Sequence, residues 1–454
     1  MGFNLEKFNL KKYLYNFIKI LDKLESKIAF YPSIISLFGM CLAFFIIYLE
    51  SMGASEYLID HAPILVVNNT ETARSLLTTF IAGLISIMVF SFSMVMILLN
   101  QASSNFSPRL LPGLISNRKH QIILGVFNAT LLYCIFILVS ITPNGDKYQM
   151  PGFAVLLSII FMTLSLGAFI YFIHSISQEI QVNTIMDKIF RKSKQRLEKL
   201  IEAEKHIDTD FEDTSDWKSI VATSTGYMQD VSLKPLADLA EEHHLKIEVV
   251  PIKGAYILKG VPILKYKGDV RKEMGNDEDL ELKLLDTIIF SNNELIDDNY
   301  VLAFKQITEV ALKAMSPGIN DPGTCINAID YLTELFALRM SKKDYSYYFD
   351  ENEKALIFIK TVSFKELLYN VMAAMRTYCK HDIIVVQKLF IMFQYLLQQN
   401  DVLNENYKET IIREVVNLKK DALDNHNNDA DIEIIKSYIT KLETVNPSDF
   451  KFEA

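Results

Sequence analysis

The chain has 454 residues, half of them hydrophobic, with a formal net charge of -9 and a mean hydropathy of +0.17. That length suits two or three domains, and that hydropathy is high for a wholly water-soluble protein. The acidic balance argues against nucleic acid as a main partner, because phosphate backbones are held by clustered positive charge.

Residues 1–28 read as a basic amphipathic helix. Leu10, Leu14, Phe17, Leu21, Leu24 and Ile28 recur at helical spacing, with Lys7, Lys11, Lys12, Lys19 and Lys23 on other faces. Such a helix lies in a lipid headgroup layer or packs on a soluble domain, and the pattern fits both equally.

Residues 29–175 read as a transmembrane domain of about four helices. A bilayer core about 30 Å thick needs roughly 20 apolar residues in a helix, and four segments qualify: 29–49, 75–99, 121–141 and 153–173. No Asp, Glu, Lys or Arg lies deep in any of them. Basic residues precede the first span, separate the second from the third (Arg109, Arg118, Lys119) and follow the fourth (Lys188, Arg191, Lys192, Lys194, Arg196). The loop after the first span is acidic, with Glu50, Glu56, Asp60 and Glu71 against Arg74. The positive-inside rule then places both termini in the cytoplasm.

The second span carries a polar stripe. Thr79, Ser86, Ser93 and Asn100 recur every seven residues, with Gly83 close by, so a helix presents them on one narrow face. Small and hydroxyl residues of this kind let helices approach closely in lipid, which makes the stripe a packing seam. The functional alternative is a stripe that faces a water-filled path in an oligomer. The absence of membrane carboxylates disfavours a proton-driven transporter. The tract from Asn100 to Arg109 is expected to leave the membrane, with Pro108 and Pro112-Gly113 breaking the helix.

Residues 176–210 are expected to continue the fourth span as a linking helix, since 175–206 contain neither Pro nor Gly. It serves as a rigid spacer or as a mechanical coupler. The remainder reads as a cytosolic α+β domain. Within it, 211–295 form a small mixed β subdomain: a strand near Trp217–Tyr227, a helix at 233–243, short strands at 247–250, 255–258 and 261–266, an acidic loop at 276–281, and a strand at 284–290. Residues 296–454 read as mainly helical. A strand is expected at 355–359, a capping box of Ser363 and Glu366 opens the next helix, and further helices cover 383–398, 407–424 and 430–445.

Between a helix with the apolar stripe Val301, Phe304, Ile307, Ala311 and Ala314 and a second with Cys325, Ile329, Leu332 and Phe336 lies Ser316-Pro317-Gly318-Ile319-Asn320-Asp321-Pro322-Gly323. Pro317 and Gly318 stop one helix, Asp321 is placed to cap the next, and Pro322 takes its first position, where a missing N–H costs nothing. The structural reading is a rigid corner. The functional reading makes Ser316, Asn320 and Asp321, with the amides of the helix start, a ligand or ion site.

The run from Ala314 to Pro322, followed by Ala328-Ile329-Asp330-Tyr331-Leu332, resembles the signature of a bacterial family known only as predicted membrane proteins, domain of unknown function 2254. Ser75-Leu76-Leu77, the Gln101–Pro108 tract and Gly226-Tyr227-Met228-Gln229 resemble the same family, and the similarity covers nearly the whole chain. The resemblance implies a bacterial inner-membrane protein of this architecture. It brings no activity, substrate or catalytic residue. The chain departs from the expected pattern at Gly323 and Cys325, which are given no role.

The four cysteines, Cys41, Cys134, Cys325 and Cys379, have no metal-like spacing and read as reduced thiols. There is no phosphate-binding glycine loop, dinucleotide fingerprint or paired-histidine zinc helix. His243 and His244 are adjacent, which does not aim both at one metal. His381-Asp382 lacks the further ligands that a phosphohydrolase metal centre needs. No nucleophile elbow occurs. The sequence therefore predicts no catalytic residue, no metal, no cofactor and no enzyme. The leading expectation is a homo-oligomeric membrane protein with an ion or small-solute path along the second span, gated by its cytosolic domain. The alternative is a membrane-anchored signalling or scaffold protein without transport.

Overall fold

The computed structural model describes residues 29–61, 63–67, 69–105, 118–141, 151–179, 181–204, 213–268, 277–291, 299–349, 355–399 and 405–445. The expected amphipathic helix at 1–28 lies outside them, as do residues 106–109 of the exit tract and Pro112-Gly113. The chain divides into two compact units, Met1–Gln181 and Val182–Ala454.

The first unit is built on α1 (Phe30–Ser51), short α2 (Ala54–His61), α3 (Thr70–Asn105), α4 (Arg118–Ser140) and α5 (Gly152–Glu179). α1, α3, α4 and α5 are each long and apolar enough to cross a membrane. The four expected spans are all present; most ends extend by one to several residues, while α1 begins one residue later and α4 ends one residue earlier than expected.

Small residues bring α1 and α4 together. A Cβ added at Gly39 would stand 2.7 Å from the Cα, Cβ and carbonyl oxygen of Ala129. One added at Gly125 would stand 2.8 Å from Ile35 Cδ1. Close backbone approach of this kind is how helices associate where lipid offers no hydrophobic drive. Behind the seam, Ala43, Leu77, Tyr133, Cys134 and Ile137 form one buried cluster, and Ile123, Phe127, Phe172 and Ile176 form another.

Helix ends in this unit are satisfied by residues distant in sequence. At the start of α5, Ala154 N–H donates to Glu50 Oε1 (2.8 Å) and Phe153 N–H to Ser55 Oγ (3.0 Å), while Ser55 Oγ donates to Glu50 Oε2 (2.5 Å). An acidic group there also opposes the positive end of the helix dipole. Arg74 Nη2 donates to the Ile141 carbonyl just past α4, at 3.1 Å. From the sequence alone Glu50 and Arg74 read only as loop charges.

The second unit begins with α6 (Val182–Glu204). The continuous linking helix expected through 175–206 is not observed: α5 ends at Glu179 and α6 starts at Val182. α6 buries Ile185, Met186, Ile189, Phe190 and Leu197 and packs on α9 (Tyr300–Ala314) and α10 (Pro322–Arg339). Phe190 meets the Tyr331 ring, and Lys194 pairs with Glu334. These contacts make α6 part of the second unit's core, beyond what a spacer requires.

Two sheets follow. The larger runs β1 (Lys218–Val221), β5 (Pro262–Lys267), β3 (Lys246–Val249), β8 (Ala355–Lys360), β7 (Tyr345–Phe349); β3 and β8 are parallel and the other pairs antiparallel. The smaller has order β4 (Tyr256–Ile257), β2 (Gly226–Val231), β6 (Ile288–Ser291), all antiparallel. Because β8 pairs with β3, the segments 211–295 and 296–454 share one sheet. The expected single strand at Trp217–Tyr227 is two strands in different sheets, divided at the polar run Thr223-Ser224-Thr225. The acidic segment expected as a loop is the start of α8 (Asp277–Leu285). Its carboxylates sit at the favourable end of the helix dipole, and Leu280 and Leu284, four apart, join the core. That helix also takes the first residues of the expected strand at 284–290.

α7 (Leu233–Glu242) covers the larger sheet's apolar face with Leu236, Ala237 and Ala240 against Ile247, Val249, Leu264 and Ile357. The rest is helical, as expected: α11 (Phe364–Cys379), α12 (Ile383–Leu397), α13 (Glu405–Asn425) and α14 (Asp429–Val445). Ser363 Oγ accepts from Glu366 N–H at 3.1 Å, the N-terminal bond of the capping box.

Candidate functional site

The stripe on the second span faces outward. Thr79, Ser86, Ser93 and Asn100 are all exposed on α3, while Ser91, on another side of the helix, is fully buried. Thr79 Oγ1 donates to the Ser75 carbonyl (2.8 Å), Ser86 Oγ to Ala82 (2.9 Å) and Ser93 Oγ to Val89 (2.9 Å). Each hydroxyl is thus satisfied within its own helix and keeps its lone pairs for a further partner. Of the four spans α3 is the least enclosed: 11% of its most apolar stretch is buried, against 39% for α4. Ile85, Val89, Phe90, Phe92, Met96 and Ile97 are exposed on the same helix.

The corner at residues 316–323 is self-contained. Asp321 Oδ1 accepts from Thr324 N–H (3.1 Å) and Oδ2 from Thr324 Oγ1 (2.6 Å). These bonds, the side-chain one first, lower the Asp321 carboxyl's pKa. Ile319 and Asn320 N–H both donate to the Ser316 carbonyl, and Asp321 N–H to Ala314. Ser316 Oγ donates to Lys313 O at 2.7 Å. Asn320 takes a left-handed φ of 49°, a conformation asparagine adopts more readily than most residues. The backbone donors of Ile319, Asn320 and Asp321 are thus spent inside the turn. His381-Asp382 has a similar explanation, since Asp382 Oδ1 caps α12 by accepting from Ile384 and Val385 N–H. Among the described residues no three His, Cys, Asp or Glu side chains are grouped to hold a metal.

A cavity in the second unit was not foreseen. Its volume is about 360 Å³, within the range of small-molecule sites. Arg196, Lys199 and Leu200 of α6 form one wall, and Met228, Asp230 and Val231 of β2 a second. Asn299, Tyr300 and Val301 at the start of α9 form a third, and Ser346–Tyr348 of β7 with Ile359–Val362 at the end of β8 close it. Lys253 also lines it and pairs with Asp230 at 2.8 Å. Lys360 on the rim stands 3.8 Å from Glu248, a buried carboxylate on β3 that also faces Lys265 at 3.4 Å. Asn299 caps α9 by accepting from Val301 N–H.

The wall at β7 is braced from behind by buried charge. Arg339, fully buried, donates to the carbonyls of Lys342 (2.7 Å) and Val362 (2.8 Å) and pairs with Asp344 at 2.5 Å. Burial works against its charge, but Tyr300 and Asp344 outweigh burial and hold its pKa above the ordinary value. Tyr407 Oη donates to Asp344 Oδ1 (3.0 Å). Burial, with the Asp344 charge second, pushes its phenol up to about 12. Lys342 Nζ reaches Ser346 Oγ at 3.2 Å on the cavity wall. The sequence offered one signal for this region, the alternating aromatic run Tyr345-Ser346-Tyr347-Tyr348-Phe349, which marks β7. The cavity itself depends on elements some 160 residues apart.

Residues 25–395 match a family model described as predicted membrane protein DUF2254. Two uncharacterized mycobacterial proteins, one from Mycobacterium bovis and one from Mycobacterium tuberculosis strain H37Rv, are each 27% identical over 278 residues, 60% of this chain and 53% of their own. The chain thus spans about half the length of these curated relatives. No solved structure matches it.

Proposed function

The chain belongs to the DUF2254 family of predicted membrane proteins, and we propose that it is a homo-oligomeric multi-pass protein of the bacterial inner membrane whose copies surround an ion or small-solute path along α3. The outward stripe of Thr79, Ser86, Ser93 and Asn100 carries this reading. Polar residues exposed on the least enclosed span are available to face neighbouring copies, and hydrogen-bonding groups of this kind can line a path. Four spans put both ends of the membrane domain on one side, and the basic flanks assign that side to the cytoplasm. The second unit then serves as the regulatory domain, and no catalysed reaction is involved.

The test is flux of a panel of ions into vesicles carrying the purified protein. Flux is expected with the native chain and is expected to be lost with Ser86→Leu, which replaces a hydroxyl by a larger apolar side chain on the stripe. Absence of flux for every ion tested would remove the transport reading. The cavity in the second unit favours the other reading, a membrane-anchored signalling or scaffold protein that responds to a ligand without transport. Vesicles without flux and a second unit that binds a ligand would point there.

A further inference from the structure

We propose that the cavity bounded by α6, the start of α9 and the β7 and β8 strands binds a small organic phosphate with an aromatic ring, of nucleoside monophosphate size. It stands whether or not α3 lines a path, since every lining residue belongs to the second unit.

Charge gives the class of ligand. Arg196, Lys199, Lys253 and Lys360 line the cavity, and among the described residues Asp230 is the one carboxylate that lines it, so four positive groups face one negative group there. Lys253 is tied to Asp230, and Glu248, which approaches Lys360, is outside the lining. A phosphate monoester carries about -1.5 to -2 charges at neutral pH, and arginine and lysine are the side chains that hold it. Arg196 and Lys199 lie three residues apart on α6, hence on neighbouring positions of one helix face.

Shape gives the rest. Inorganic phosphate would fill little of about 360 Å³, and most of the wall is apolar or aromatic. Leu200, Met228, Ile252 and Val301 line it beside Tyr347 and Tyr348, a surface that solvates a ring better than water does.

The experiment is calorimetric titration of the full chain in detergent with the 5′-monophosphates of adenosine, guanosine, cytidine and uridine, and separately with adenosine and with inorganic phosphate. At least one monophosphate is expected to bind saturably with a dissociation constant below about 1 mM, at least tenfold more tightly than adenosine or inorganic phosphate. Lys199→Gln and Tyr347→Ala are each expected to weaken it several-fold; Lys199 is exposed, so Lys199→Gln should melt with the native chain, whereas Tyr347→Ala should melt lower because its ring packs on Tyr345 and Phe358. Lys388→Gln, which disturbs only a pair with Asp330, should bind as the native chain does. Failure of all four monophosphates overturns the proposal, and so does inorganic phosphate binding equally well. Unchanged affinity in both cavity variants would place any binding elsewhere and overturn it too.

Discussion

Gly39→Ala adds one methyl group, and the place that carbon must occupy decides the outcome. It would stand 2.7 Å from three atoms of Ala129, whereas carbon atoms pack at about 3.5–4.0 Å. α1 must therefore retreat from α4 by roughly 1 Å to regain ordinary contact. Overfilling a packed site costs about 1–3 kcal/mol, and alanine recovers about 0.5–1 kcal/mol over glycine within a helix. The net expectation is a loss of about 1 kcal/mol, and at most about 2.5 kcal/mol. Gly167→Ala on α5 meets nothing within 4 Å and should show the helix gain alone. Thermal unfolding of the detergent-solubilised chain should therefore move the two variants in opposite directions. Adding Ala129→Gly removes one of the clashing atoms and should restore part of the loss. If Gly39→Ala melts at or above Gly167→Ala, the glycine seam between α1 and α4 is refuted.

Other outcomes follow from the second unit. Asp321→Ala should cost about 0.5–2 kcal/mol, as loss of a helix cap does, and Asn320→Gly should cost little because φ is already 49°. A larger loss of ligand or partner binding than of stability in Asp321→Ala would speak against a purely structural corner. Asp344→Ala leaves Arg339 buried without its carboxylate and should cost about 3–5 kcal/mol, read as a lowered melting temperature. An unchanged temperature would contradict the buried pair. Tyr407 has a folded pKa of about 12, above its ordinary 10.0, so the fold favours the neutral phenol. Its contribution is complete below pH 10 and lost as pH rises from 10 to 12. Tyr407→Phe should lose less stability than the native chain over that window, and equal losses would contradict this.

Long apolar segments carry their own structural consequence, and so the four spans were legible from the sequence. Lipid leaves the backbone no choice but to bond internally. The helices of residues 296–454 were legible because period and caps agree, as Asp321-Pro322 and Ser363 with Glu366 show. What stayed hidden depends on tertiary company. Glu50 and Ser55 cap a helix that starts about 100 residues later, and nothing local in Glu50-Ser51 announces it. Residues 276–281 looked like a loop because five polar or acidic residues outweighed Leu280 in a short window; only the sheet shows that Leu280 and Leu284 have a core to enter. The break near 180 was invisible because neither Gly nor Pro marks it. For the candidate sites the contrast is sharper. The α3 stripe and the Asp321 corner are local and were found, whereas the cavity joins α6 to β7 and β8, a juxtaposition no spacing rule encodes.

Substituted-cysteine accessibility along α3 tests most directly whether this span borders water. In a background lacking the four native cysteines, Thr79→Cys, Ser86→Cys, Ser93→Cys, Ile85→Cys and Phe92→Cys are treated, in membranes, with a charged thiol reagent that cannot cross lipid. A path predicts fast labelling of the first three, every seventh residue, and slow labelling of the last two. Equal protection at all five would mean that the hydroxyl stripe meets lipid or a dry interface and that no conduit runs beside it.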